Sequence, residues 1–437
     1  MADSLTIIDN RTGKSYELPI EYGTHEAVIN GRALQQIKKD PEDFGILSYD
    51  PSFRFTAACK SSITYIDGER GILQYRGYPI DQLADKVSLE EAMYLVLFGE
   101  LPTNEQRDQF VAEILAEREV PETARKIIDA YPPNSHPMTM LMSAVASLGN
   151  FYPDAKEVTN PQARRRNTIR AIGKIATLGA YTYRHMRDLP YVYPDADLSY
   201  TGNFLGMLFK GQESTYKPDP RVEKSLAMLF LLHLDHEQNC SANAMRAVGS
   251  SQPDVFSALT AAIGALFGPL HGGANEQVVR MLMQIGDKKN VADFVEKVKR
   301  RETLLFGFGH PVYRAYDPRA RIIKKAAEDV VAVMGMNPLL EVAYELERIA
   351  LSEDYFKSRN LYPNVDFYSG LIYQSIGLPP DLFTVLFAVG RTTGWMAQWN
   401  EMFEDKDQRI VRPRQLFIGS AKRDVVKPGA KAAALKK

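Results

Sequence analysis

Hydrophobic positions along the chain begin in a two-residue rhythm and then change to a helical one. Leu5-Thr6-Ile7-Ile8 and Tyr16-Glu17-Leu18 read as short strands, parted by turn formers such as Asn10 and Gly13. Residues 62–66 and 72–75 flank an Asp67-Gly68 pair, which predicts a hairpin with a tight turn at those two residues. Helical grammar follows. Ser88-Leu89-Glu90-Glu91 is a capping box, Leu89, Ala92, Met93, Val96 and Leu97 share one face, and Gly99 with Pro102 ends the segment. Thr103 and Gln106 repeat the box at once, so a short corner joins two helices. Leu339, Val342, Ala343, Leu346 and Ile349 form another stripe at helical spacing, and residues 381–402 read as a long buried helix. No repeat of fixed period occurs. The expected fold class is mainly α with a short β-rich N-terminal segment over residues 1–60 and a flexible basic tail over 421–437.

Composition narrows the setting. A chain of 437 residues has room for two or three domains, and 45% hydrophobic with 24% charged residues is ordinary for a soluble globular protein. Lys plus Arg total 53 against 54 for Asp plus Glu, so no nucleic-acid partner is expected, although a local site for a small anion needs only a few basic residues. The two cysteines, Cys59 and Cys240, argue against a disulfide framework. The N-terminus lacks the features of a secretory or transit signal, and no apolar run approaches the roughly 18–20 residues that span a bilayer. A cytoplasmic protein without a membrane partner is expected.

Candidate chemistry clusters around histidines. In Leu232-His233-Leu234-Asp235-His236-Glu237 the two histidines are three apart and would share a helical face. A metal pair and a pair of satisfied core histidines are both open readings; no third ligand stands at standard spacing, which weakens the first. In Gly268-Pro-Leu-His-Gly-Gly-Ala-Asn-Glu276 glycines surround His271 and a helix starts near Asn275. A helix start opposes protonation of a neighbouring imidazole, and neutral imidazole can donate to a developing enolate; an ordinary loop histidine is the competing reading. In Phe306-Gly-Phe-Gly-His-Pro311, with Arg314 and Asp317-Pro318-Arg319 close behind, glycines, His310 and two arginines converge, which suits an anionic ligand whose carbonyl His310 polarises.

Three further segments matter. Asn360-Leu-Tyr-Pro-Asn-Val-Asp-Phe-Tyr368 sets Asp366 among aromatic neighbours, where desolvation would raise its basicity toward that of a base for a carbon acid; without context a structural cap is the plainer reading. Arg391 lies inside the apolar C-terminal helix and Arg412 in Arg412-Pro-Arg-Gln-Leu416. A guanidinium in such a helix needs a partner, either a dicarboxylate bound through both its nitrogens or an internal salt bridge.

Taken in order, the motifs from Gly268 to Glu276, Gly307 to Tyr313, Asp317 to Arg319, Leu361 to Phe367 and Arg412 to Leu416 resemble those of the citrate synthase family, as does Gly71-Ile-Leu-Gln-Tyr-Arg-Gly77. The resemblance runs from about residue 5 to 420. It implies an acyltransferase that condenses acetyl-CoA with oxaloacetate and hydrolyses citryl-CoA, at entry to the tricarboxylic acid cycle. His271 would steady the enolate, Asp366 would remove the methyl proton and His310 would polarise the ketone. His236, Arg319, Arg391 and Arg412 would hold oxaloacetate and citrate, while Gly307, Phe308, Gly309 and Arg314 would contact CoA. No metal and no resident cofactor are implied, since acetyl-CoA is a substrate. A large helical domain (61–275 with 379–420) would be interrupted by a small one (276–378) that closes over oxaloacetate. Arg412 would reach a neighbouring subunit's site, making a homodimer the smallest active unit. The length resembles the bacterial homohexamer inhibited by NADH, whose nucleotide site resembles His136, Met138, Tyr152, Arg170 and Lys174 here; Glu213 stands where that form can carry cysteine, and a carboxylate there would repel phosphates.

Three other readings remain from the sequence. A 2-methylcitrate synthase would use the same groups on propionyl-CoA, because one methylene is worth only about 1–3 kcal/mol of discrimination. A metal-dependent hydrolase could be built on His233 and His236. A catalytically silent helical protein is disfavoured by the joint presence of His271, His310 and Asp366.

Overall fold

The computed structural model describes residues 3–211, 216–310, 312–335 and 337–425; Glu213 and most of the basic tail lie outside them. The chain forms two contact units, one of residues 1–60 with 412–437 and one of residues 61–411.

In the first unit, Ser4–Asp9 pairs antiparallel with Lys14–Tyr22, which pairs in turn with Ala27–Ile29. Both expected strands are present, and the second runs on to Tyr22 because it is the middle strand of three. The turn between the first two strands contains Gly13 at φ 73° and is closed by Asp9, which accepts from the Arg11 backbone and side chain, each at 2.9 Å.

The second unit is helical apart from one small sheet. Thr64–Asp67 pairs with Ile72–Tyr75, and Asp67 sits opposite Ile72. The hairpin turn therefore spans residues 68–71 rather than the expected Asp67-Gly68. Asp67 stays in the strand and accepts the Arg70 amide at 3.0 Å, and Gly71 takes φ 67°. The wider turn is used elsewhere: the Gly68 carbonyl accepts the Arg314 amide at 2.8 Å, and a Cβ at Gly68 would lie 2.1 Å from the Val312 carbonyl. The glycine thus admits the chain that carries Arg314.

Both capping boxes form. Ser88 and Glu91 satisfy each other's amides at the start of Leu89–Phe98, Thr103 and Gln106 do so at the start of Asn104–Ala116, and Gly99 at φ 98° ends the first helix. The stripe from Leu339 to Ile349 lies on Pro338–Ser352, with Leu340, Val342, Ala343 and Leu346 buried. The long apolar segment is the helix Phe383–Glu404, buried on nearly every side from Phe383 to Trp399 and packed against the equally buried Pro161–Met186. A helix that is apolar all round belongs at the centre of a domain. Among the described residues, no helix is long and apolar enough to cross a membrane.

One close approach positions this central helix. A Cβ at Gly394 would lie 1.9 Å from the Leu234 carbonyl oxygen and 2.9 Å from Asp235 Cβ. Gly394→Ala must push the helix away from the segment bearing His236, and should cost about 1–3 kcal/mol. Thermal inactivation will check this: an unchanged midpoint would mean that the contact is not tight in solution.

Candidate active site

Six of the sequence candidates meet in the second unit, each placed by a different local device. His236 follows the helix Pro220–His233 by way of Leu234 and Asp235. The buried Asp235 carboxylate fixes this turn, accepting Thr64 Oγ1 at 2.6 Å, Gln398 Nε2 at 3.2 Å and the Glu237 amide at 3.1 Å. The helix ends at His233, so the two histidines do not share a face as their spacing predicts. His233 faces the core, with Nδ1 on the Leu229 carbonyl at 2.6 Å and its ring centroid 4.5 Å from that of Phe387. His236 turns to Tyr313, whose hydroxyl is 3.3 Å from Nε2, and its ring centroid is 5.2 Å from that of His310. A site built jointly on His233 and His236 has no geometric basis.

His271 lies in the turn before Ala274–Ile285. Its amide bonds Gly268 at 2.9 Å, and a Cβ on Gly272 would lie 2.6 Å from the Leu266 side chain. The ring is anchored through Nε2, 2.9 Å from Ser241 Oγ, leaving Nδ1 for a ligand. Burial first, and the charge of Arg391 second, push this imidazole down to about 4. The neutral form expected from the helix start is therefore produced by desolvation and a nearby cation.

His310 is held by its own loop. Gly307 and Gly309 adopt φ 78° and 76°. The loop is stitched to the segment before Asp366: the Asn364 amide donates to Gly307 at 2.9 Å, Asn364 Nδ2 donates to the Gly309 carbonyl at 2.8 Å, and the Gly309 amide donates to Tyr362 at 2.8 Å. Phe308 packs on Phe367, with centroids 4.6 Å apart. His310 Nδ1 accepts the Val312 and Tyr313 amides at 3.0 and 3.3 Å, so in the neutral ring the proton sits on Nε2. Burial and then Arg319 lower this histidine to about 4, and burial with Arg319, His310, Arg391 and His271 lowers His236.

Asp366 is the second residue of Val365–Ser375, capped by Asn364. Its Oδ1 is closed off from solvent and meets no donor. Burial pushes the carboxyl up to about 7, with Asp317 adding to the rise and Arg319 and Arg391 opposing it. Arg391 is 1% exposed; its Nε donates to the His233 carbonyl, its guanidinium lies 4.8 Å from the Phe387 ring, and Nη1 is buried without a partner. Burial lowers it to about 10. The internal salt bridge considered for Arg391 appears at Arg319 instead, where Nε and Nη2 hold Asp317 at 3.1 and 2.9 Å.

The remaining candidates lie elsewhere. Arg314 is exposed and lines a groove of about 560 Å³ with Glu69, Tyr316, Arg321, Asn360 and Tyr362. Arg412 belongs to the first contact unit and is exposed. Tyr152 gathers Arg170 and Lys174 over its ring at 4.5 and 5.4 Å, but Arg170 pairs with Asp154 at 2.5 Å and Lys174 with Glu117 at 2.9 Å. Met138 is fully buried, and His136 caps its helix through Nδ1 and faces Glu276. His136, Glu276 and Asp381 have metal-ligand spacing, yet Arg280 bridges both carboxylates at 2.8 Å and supplies the countercharge.

Sequence reasoning missed Tyr313, Ser241, Trp395 and the capping of the helix Pro318–Met334 by Asp317. The last had a signal, since Asp-Pro-Arg places a capping acid before a proline at the first helical position. The others are contacts across 30 to 154 residues, which no local spacing reveals.

Comparisons with known proteins point to one family. The family model described as citrate synthase, C-terminal domain, matches residues 52–414. A citrate synthase of Dictyostelium discoideum is 47% identical over 424 residues, covering 95% of this chain and 82% of its own. Citrate synthase 1 of Mycobacterium tuberculosis is 48% identical over 386 residues, 87% of this chain and 90% of its own. Among solved structures, the citrate synthase of the thermophilic archaeon Thermoplasma acidophilum, in ternary complex with carboxymethyl coenzyme A and oxaloacetate, is 33% identical with a TM-score of 0.78, over 86% of this chain and 97% of that one. With these matches spanning the six converging side chains, the chain belongs to the citrate synthase family.

Proposed function

We propose that the protein condenses acetyl-CoA with oxaloacetate and hydrolyses the resulting citryl thioester to citrate and CoA. The observation that carries this reading is the buried, unpaired Oδ1 of Asp366 in a site with three histidines held neutral and an Arg391 guanidinium whose Nη1 meets no partner. A thioester methyl is a very weak acid, so its base needs a raised pKa and the enolate needs a preorganised donor. Asp366 takes the methyl proton. The Ser241 hydroxyl donates to Asn239 Oδ1; when it turns that proton to His271 Nε2, the ring carries its own on Nδ1, the form that donates to the enolate oxygen. The methyl carbon then bonds the ketone carbon, whose oxygen receives the proton of His310 Nε2. His236, Arg391 and the free edge of Arg319 take the oxaloacetate carboxylates, and water finally cleaves the thioester. These steps use side chains alone.

The groove beside Arg314 and the 307–309 loop support CoA binding there: basic and aromatic side chains suit a nucleotide with phosphates. A homodimer completed by Arg412, assembly to a homohexamer, closure of residues 276–378 and a cytoplasmic location belong to the same proposal and rest on the family resemblance. NADH binding at Tyr152 would have to displace Asp154 and Glu117 from their cations.

Oxaloacetate-dependent release of CoA from acetyl-CoA tests the proposal, with propionyl-CoA run beside it. Faster release from propionyl-CoA would reassign the substrate, and no release from either would end the proposal.

Asp366→Asn should lose roughly 10²–10⁴-fold in turnover. Its stability at pH 8 should be equal to or above that of the parent, because a carboxyl whose folded pKa is raised weakens the fold as pH climbs from about 4 to about 7, with the full penalty present above that. For the parent, kcat/KM should rise with pH to a plateau above about 7, with no limb from the histidines near neutrality. A profile flat from pH 5 to 8 would remove Asp366 as the base.

Arg391→Leu should raise the oxaloacetate KM at least tenfold, the order expected for a charge-assisted bond worth roughly 1.5–3 kcal/mol. An unchanged KM with collapsed stability would make Arg391 structural.

A further inference from the structure

We propose that Trp395 is a positioning residue for the condensation, acting on His271 through Ser241. Trp395 is fully buried on the central helix, one turn beyond Arg391. Its indole N–H donates to Ser241 Oγ at 3.0 Å, and the same oxygen lies 2.9 Å from His271 Nε2 and 2.6 Å from Asn239 Oδ1. Ser241 opens the helix Cys240–Gly249, and Asn239 Oδ1 pins its backbone by accepting the amides of Ser241 and Ala242, each at 3.1 Å. The hydroxyl itself is a rotor on that fixed backbone.

Left with Asn239 alone, the rotor could be satisfied without meeting His271. An indole N–H can only donate, and when buried it requires an acceptor, so it claims one lone pair of Oγ. That draws the oxygen toward the crevice between the Cys240–Gly249 and Phe383–Glu404 helices, where it also meets Nε2. The hydroxyl proton runs to Asn239 Oδ1 as placed and reaches His271 Nε2 only when the rotor turns, so Trp395 fixes where the oxygen sits and not the direction of the Ser241–His271 bond. The consequence falls on the imidazole: with Nε2 anchored, Nδ1 keeps a constant aim at the ligand.

The same helix supplies a control. Trp399 is also buried, 1% exposed, but its N–H meets no hydrogen-bond partner. Trp→Phe at either position removes a similar volume and an N–H, and only at 395 does that N–H reach the site.

This inference rests on the role proposed for His271. The test is steady-state kinetics on the full-length Trp395→Phe, Trp399→Phe, Ser241→Ala and Ser241→Ala/Trp395→Phe proteins. Trp395→Phe should lower kcat about 3–10-fold, the range of one lost hydrogen bond. The oxaloacetate KM should stay within about twofold, because the carboxylate partners are untouched, and Trp399→Phe should keep the parent kcat. In the Ser241→Ala background the 395 change should have no further effect, since residues acting through one another are not additive. Equal losses at 395 in both backgrounds, or equal kcat for the two Phe variants, would overturn the inference. Should Trp395→Phe fold poorly, replacement of tryptophan by benzothienylalanine keeps the ring shape and deletes the N–H: parent kcat in that protein overturns the inference, and a 3–10-fold loss supports it. An active parent with an insensitive Trp395 would leave the proposed function standing; an inactive parent would end both.

Discussion

The carboxylate of Asp317 is the contact on which the site depends. It caps the helix Pro318–Met334, holds the Arg319 guanidinium by two nitrogens, and accepts the Val365 amide at 3.2 Å, where the helix bearing Asp366 begins. A cation and a base for the reaction are thereby tied to one buried anion. Breaking such a pair by removing one partner typically costs about 3–5 kcal/mol, because it strands a charge out of water. The surroundings hold Asp317 below the ordinary carboxylate range despite its burial, through Arg319 above all. Asp366 enjoys no such pairing, and that contrast separates a structural acid from a reactive one within the same cluster.

Desolvation then acts on every other group in the direction of its chemistry. It lowers His236, His271 and His310, so the rings are neutral donors rather than cations near pH 7. It raises Asp366 into the range of a working base and leaves Arg391 charged with one nitrogen unsatisfied. Buried polar groups are ordinarily hydrogen-bonded, yet within this one site an acceptor, Asp366 Oδ1, and a donor, Arg391 Nη1, both lack a partner.

The parts legible in the sequence were those with local grammar. Ser88–Glu91, Thr103–Gln106, the stop at Gly99 and the long apolar helix around Arg391 all follow from side chains within a few positions of one another. The motif glycines were readable for the same reason, since Gly307 and Gly309 occupy left-handed backbone that the paired spacing invites. The errors came where a distant partner changed a local preference. The turn at residue 67 widened because Gly68 serves the Arg314 segment, and His233 and His236 diverged because the helix stops between them under the pull of Asp235 toward Thr64 and Gln398. Ser241 and Trp395 were invisible, since an ordinary serine and tryptophan become part of the site only when three segments of chain meet.

The central claim is that Asp366 sits unpaired, with Oδ1 closed off from solvent, and is therefore a base near neutrality. Difference infrared titration of the parent against Asp366→Asn reads that carboxyl directly. The account predicts a protonated carboxyl band that gives way to carboxylate with a midpoint near 7 in the absence of substrates. A midpoint near the ordinary value of about 4 would show that Asp366 is solvated or paired, and would contradict the account.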